Sequence, residues 1–177
     1  MEGKERRMNL FLIGFMGCGK SSQAPLLSER LGLPVMEMDR EIEERAGMTI
    51  REIFERFGEE DFRMRESGLL RELGDKSYVV SCGGGLPLLL GNRRMMRESG
   101  RVIYLTAAPE TILKRLERGR EERPLLRGGA GLSEIRSLME SREKHYRAAA
   151  DFLVATDGRS PEEIREEILS LLPFSGS

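Results

Sequence analysis

Five short apolar runs, Leu10–Ile13, Val35–Met38, Tyr78–Ser81, Val102–Leu105 and Phe152–Ala155, punctuate a chain that is otherwise strongly charged. Strands buried on both faces read as continuous apolar runs rather than as alternation. The stretches between them carry apolar residues at helical spacing among the charges. That succession predicts an α/β fold, a parallel sheet covered by helices on both faces. Two helix starts are explicit: Thr49-Ile50-Arg51-Glu52 and Ser160-Pro161-Glu162-Glu163 each fit a capping box, the second with proline at the first helical position. Ile164, Ile168, Leu171 and Leu172 then form the apolar stripe of a last helix. Pro25 conflicts with the helix expected after the first strand. It cannot donate to the Ser21 carbonyl, which costs about 3 kcal/mol in a helix interior and predicts a local bend or widened turn.

Two intervals read as insertions on this core. Residues 39 to about 74 are almost wholly charged helix. Residues 119 to about 131, GREERPLLRGGAG, are rich in glycine and arginine and precede a long helical stretch ending near Ala149. A mobile lid and an ordinary surface loop both fit that composition.

Composition narrows the class. A chain of 177 residues reads as one domain with a substantial core. Lys+Arg 29 against Asp+Glu 30 leaves a net charge of −1, which argues against nucleic acid or an acidic membrane surface as partner. Cys18 and Cys82 stand apart, with neither metal-type spacing nor a disulfide framework. No apolar run is long enough to span a membrane, and no signal-peptide core follows the charged N-terminus. A cytoplasmic protein, monomeric at this size, is the expectation.

Chemistry enters at the end of the first run, where Gly14-Phe15-Met16-Gly17-Cys18-Gly19-Lys20-Ser21 fits G-x-x-x-x-G-K-[ST], the phosphate-binding P-loop, in its strand-then-loop setting. The backbone N–H groups around Gly17, Cys18 and Gly19 can cradle phosphate, Lys20 can reach the β- and γ-phosphates, and Ser21, with the Ser22 hydroxyl beside it, can ligate Mg²⁺. A nucleoside triphosphate is the predicted ligand. In open α/β sheets the second ligand belongs at the carboxyl ends of the neighbouring strands. After the second run come Glu37 and Asp39, which alternation places on one side of an extended segment, one to hold metal and the other to accept a hydroxyl proton. A solvated acidic pair with Asp39 as helix N-cap is the alternative. After the third run, Gly83-Gly84-Gly85 is costly in chain entropy and makes sense either as close backbone approach to a ligand or as a simple turn. Arg63, Arg123 and Arg142 can grip carboxylate or phosphate bidentately, although spacing alone does not select them among the many arginines. His145, the sole histidine, has no catalytic partner nearby in sequence.

Taken in order, the P-loop, Glu37-x-Asp39, Phe62-Arg63, Gly83-Gly84-Gly85, Arg123-Pro124-Leu125-Leu126 and Arg142 closely resemble shikimate kinase, from about Asn9 to Leu172. The resemblance implies the fold of nucleoside monophosphate kinases: a P-loop three-layer α/β/α with a five-stranded parallel sheet, a helical substrate-binding insertion and a lid. It implies Mg²⁺-dependent transfer of the ATP γ-phosphate to the 3-hydroxyl of shikimate in the chorismate pathway. By position it makes Asp39 the partner of the shikimate hydroxyls and the base, and sets Lys20 and Arg123 on the transferring phosphate. Arg63 and Arg142 become the carboxylate clamp, Glu66 the residue orienting Arg63, and Gly83, Gly84 and Gly85 the packing against the ring. Ser21 and Glu37 take the metal, and the adenine lies between Arg115 and Arg159. A lid arginine of this kind supplies about 10³–10⁵ in rate in other systems. The chain departs from the family pattern at Glu37, where aspartate is usual, at Ser22, where threonine is usual, and at Pro25. Another small-molecule P-loop kinase, for gluconate or a nucleoside monophosphate, is the alternative enzyme. A nucleotide-dependent regulatory protein is the alternative class, against which the intact Asp39, Arg63, Arg123 and Arg142 argue.

Overall fold

The computed structural model describes residues 8–74, 76–118 and 131–173. Strands β1 (Asn9–Ile13), β2 (Val35–Glu37), β3 (Val79–Ser81), β4 (Gly100–Thr106) and β5 (Phe152–Ala155) form one five-stranded sheet in the order β2-β3-β1-β4-β5. Every pairing is parallel. Each predicted run thus overlaps a strand, and the three-layer architecture expected of a P-loop kinase is present. Phe11, Leu12 and Ile13 of β1 and Val79 and Val80 of β3 are fully buried, as centre strands covered on both faces must be.

Right-handed crossovers sort the helices by direction of travel along the sheet. Helix α1 (Lys20–Leu31) leads from β1 past β3 to β2 and packs against α7 (Pro161–Leu171). Helices α4 (Leu90–Ser99) and α6 (Leu132–Ala149) pack on β4 together with one another, with α5 (Pro109–Arg118) against α6. The 39–74 interval is α2 (Met38–Ala46) followed by α3 (Ile50–Leu73). Connections leave β1 and β3 in opposite directions, so a crevice opens at the carboxyl ends of these neighbours, the switch point where open α/β sheets bind ligands.

Both capping boxes form in full, at Thr49 with Glu52 and at Ser160 with Glu163. Three local features stand out. Helix α1 runs unbroken through Pro25. Ser21 and Pro25 are both exposed, so water can reach the carbonyl left without a helical donor. Helix α3 is kinked at Gly58, whose φ of 86° lies outside the helical range. β2 ends at Glu37 and Met38 already opens α2, so Glu37 and Asp39 are not alternating positions of one extended segment. Glu37 rather than Asp39 is the N-cap, and its side chain makes no capping bond. Among the described residues no helix is long and apolar enough to cross a membrane. The predicted lid, residues 119–131, and with it Arg123, lies outside the described residues except for Gly131.

Candidate active site

The P-loop leaves β1 through Gly14, with φ +144°. A Cβ there would sit 2.5 Å from the Leu105 carbonyl oxygen, so only glycine lets the loop turn this close to β4. Lys20, in the first turn of α1, folds back over the loop, its Nζ donating to the carbonyls of Gly14 at 2.6 Å and Phe15 at 3.1 Å. Cys18 is buried beneath it, with Sγ 3.8 Å from that ammonium, while Ser21 and Ser22 are exposed. The Ser21 hydroxyl donates to Glu37 Oε2 at 3.3 Å across the mouth of the loop, so the two expected metal-site oxygens are neighbours. Arg115 closes the far side, donating to the Gly17 carbonyl at 3.0 Å and to Thr156 Oγ1 at 3.1 Å. Arg159, in the β5–α7 turn, donates to the Ala155 carbonyl at 2.9 Å and pairs with Glu167.

The second half of the crevice surrounds the glycines that follow β3. None of the three adopts a positive φ, so conformational freedom is not why they are there. Close approach is the reason, and site side chains are what approach. A Cβ on Gly83 would lie 2.8 Å from Asp39 Oδ1 and 3.0 Å from Glu66 Oε2. On Gly84 it would lie 3.2 Å from Arg142 Nη1, and on Gly85 it would fall inside the Arg63 guanidinium. Asp39, Arg63, Glu66 and Arg142 therefore converge on one tripeptide, although they come from α2, α3 and α6. Gly84 also lies beside the P-loop, its Cβ direction 3.8 Å from the Gly14 carbonyl oxygen. Arg142 stacks over the Phe15 ring at 5.8 Å.

Electrostatics divide the acids. The Asp39 carboxylate is reached by solvent yet crowded by protein within the crevice, and that desolvation raises its pKa against the opposing pull of Lys20 and Arg63. Glu66 is 1% exposed and pairs with Arg63, which also bonds Glu59 at 3.3 Å. Burial nevertheless pushes Glu66 up to about 7, with Arg63 resisting and Asp39 adding to the rise. Burial also raises the Cys82 thiol, which stays protonated and inert. His145 has its Nδ1 3.4 Å from an Arg93 nitrogen that donates to the Pro87 carbonyl at 2.8 Å.

A site joining a P-loop to a small pocket with two arginines and an acid fits a small-molecule kinase, and the family model for shikimate kinase matches residues 16–173. The chain belongs to the shikimate kinase family. It is 45% identical to the shikimate kinase of Persephonella marina over 91% of this chain and 96% of that protein. The Geobacter sulfurreducens shikimate kinase is also 45% identical, over 93% of this chain and 90% of its own length. Among solved structures, shikimate kinase from Acinetobacter baumannii in complex with shikimate superposes with a TM-score of 0.87 at 35% identity, covering 94% of this chain and 93% of that one. A gluconokinase from Sinorhizobium meliloti shares the fold alone, at 16% identity and a TM-score of 0.58. Tyr146 and Phe15, which touch Gly84 and Arg142 respectively, are two residues of this shikimate kinase fold that sequence reasoning missed. Tyr146 had a signal: it lies four residues beyond Arg142, hence on the same helix face.

Proposed function

We propose that the crevice holds ATP and shikimate together and that its residues divide the work of transfer between them. The reaction is that of the family: the 3-hydroxyl oxygen of shikimate attacks the γ-phosphorus, its proton leaves to a base, and the bond to the β,γ-bridging oxygen breaks to release ADP. Little covalent help is needed, so positioning and charge neutralisation carry the catalysis. Gly17, Cys18, Gly19, Lys20, Ser21 and Ser22 hold the triphosphate, with Lys20 exchanging its two loop carbonyls for phosphate oxygens. Arg115 and Arg159 flank the adenine, and Arg123 reaches the transferring phosphate from the lid.

Asp39 accepts the hydroxyl proton, a role to which a raised pKa suits it. Arg63 and Arg142 clamp the substrate carboxylate, Glu66 orients Arg63, and Gly83, Gly84 and Gly85 floor the pocket. Ser21 and Glu37 fit a magnesium ion, being hard oxygen donors 3.3 Å apart beside the phosphate cradle. Held by Ser21 and Glu37, that ion would neutralise charge on the phosphates. The net charge of −1 favours small-molecule substrates over nucleic acid or membrane. The buried free thiols suit a reducing cytoplasm, and the chain works as a monomer.

The observation carrying this reading is the convergence of Asp39, Arg63 and Arg142 on Gly83–Gly85 beside the P-loop. A coupled ADP-release assay with ATP, Mg²⁺ and a panel of shikimate, gluconate and nucleoside monophosphates tests it. ADP release should depend on shikimate, and Asp39→Asn should lower kcat about 10²–10⁴-fold while ATP affinity holds. Turnover with another acceptor only, or an Asp39→Asn enzyme of normal kcat, would sink it.

A further inference from the structure

Tyr146 is 1% exposed, yet its phenol oxygen is not idle. The hydroxyl donates to the Gly84 carbonyl at 2.7 Å, and the Arg142 guanidinium approaches the same glycine. All three groups meet at one point: the Cβ direction of Gly84 runs 3.2 Å from Arg142 Nη1 and 3.7 Å from Tyr146 Oη. The ring is fixed from behind by Tyr104 on β4, with centroids 5.1 Å apart, and the Tyr104 hydroxyl donates to Glu143, the residue after Arg142. Core packing would be served equally by phenylalanine. A buried hydroxyl that spends its proton on the glycine loop, at the point where a guanidinium approaches that loop, has a further use.

We propose that Tyr146 is a positioning residue for shikimate, locking the Arg142 guanidinium to the Gly84 carbonyl so that the carboxylate meets a preset clamp. The inference rests on the reading that Arg142 grips the substrate carboxylate. An arginine free to sample rotamers must be ordered when the substrate arrives, which weakens binding; one held by a buried hydroxyl is ordered beforehand. Burial keeps the phenol protonated, with its pKa pushed up to about 12, so it remains a donor at any working pH.

Tyr146→Phe removes one oxygen and keeps the ring against Tyr104. Losing the hydroxyl should raise the KM for shikimate roughly five- to thirty-fold and leave the KM for ATP nearly unchanged, with a modest fall in melting temperature because the Gly84 carbonyl loses its donor. The decisive measurement is a double-mutant cycle with Arg142→Ala. If Tyr146 acts through Arg142, adding Tyr146→Phe to Arg142→Ala changes the shikimate KM no further. Additive effects, or an equal rise in both substrates' KM values, would mean a structural role only and overturn the proposal. An Arg142→Ala enzyme with normal shikimate KM would instead overturn the clamp reading beneath it.

Discussion

Glu66 sets a buried carboxyl group against the crevice glycine Gly83. One carboxylate oxygen pairs with Arg63, while Oε2 is buried without a hydrogen-bond partner among the described residues and faces Gly83 beside Asp39. An unsatisfied buried oxygen favours the protonated acid, and the folded pKa rises from 4.5 to about 7. The sign for stability follows. Between those values the folded chain holds a proton that the unfolded chain has released, so this group's stabilising contribution is full below 4.5 and is lost as pH rises to 7. The slope is at most about 1.4 kcal/mol per pH unit. Glu66→Gln should therefore flatten the urea-unfolding free energy across that window relative to the parent. Parallel pH profiles for the two proteins would show that Glu66 does not titrate there.

At the scale of elements, the loop after β3 carries the clearest consequence. Gly85 has an ordinary backbone, φ −95° and ψ −5°, so alanine is conformationally acceptable there. Its methyl would displace the Arg63 guanidinium and disturb the pairing with Glu66. Gly85→Ala should raise the KM for shikimate about tenfold or more, the scale of a weakened charged hydrogen bond. Gly91, at the start of α4, has nothing within 4 Å of its Cβ direction, and Gly91→Ala should leave the KM alone while adding up to about 1 kcal/mol of stability. Equal KM values for the two variants would refute the packing argument. Such distinctions were not legible in the sequence, where a simple turn stood as the alternative for Gly83-Gly84-Gly85. The strands and the capping boxes were legible because buried parallel strands and helix starts have local chemical signatures. The passage from β2 straight into α2 was not, because no turn residue separates Glu37 from Met38. Nor was the kink at Gly58, since a lone glycine in a charged helix carries no periodic signal.

For the whole molecule, the parallel order β2-β3-β1-β4-β5 sets β1 beside β3, and so the P-loop beside the triple glycine. Neither motif specifies this adjacency by itself, and the P-loop alone predicts only a triphosphate. Convergence of Arg63 and Arg142 was beyond sequence spacing too. They come from helices on separate crossovers, and only the resemblance to shikimate kinases singled them out. On the proposed reading the fold brings a phosphate donor site and an acceptor site together across one crevice, and this is open to direct measurement. Phosphorus NMR of the enzyme with ATP, Mg²⁺ and shikimate follows the γ-phosphate itself, which ADP release alone does not. A new phosphomonoester resonance should grow in equal amount with ADP, while inorganic phosphate stays at background. ADP accompanied by inorganic phosphate and no ester would mean that water, not shikimate, faces the γ-phosphate, and would contradict the placing of the two sites in one crevice.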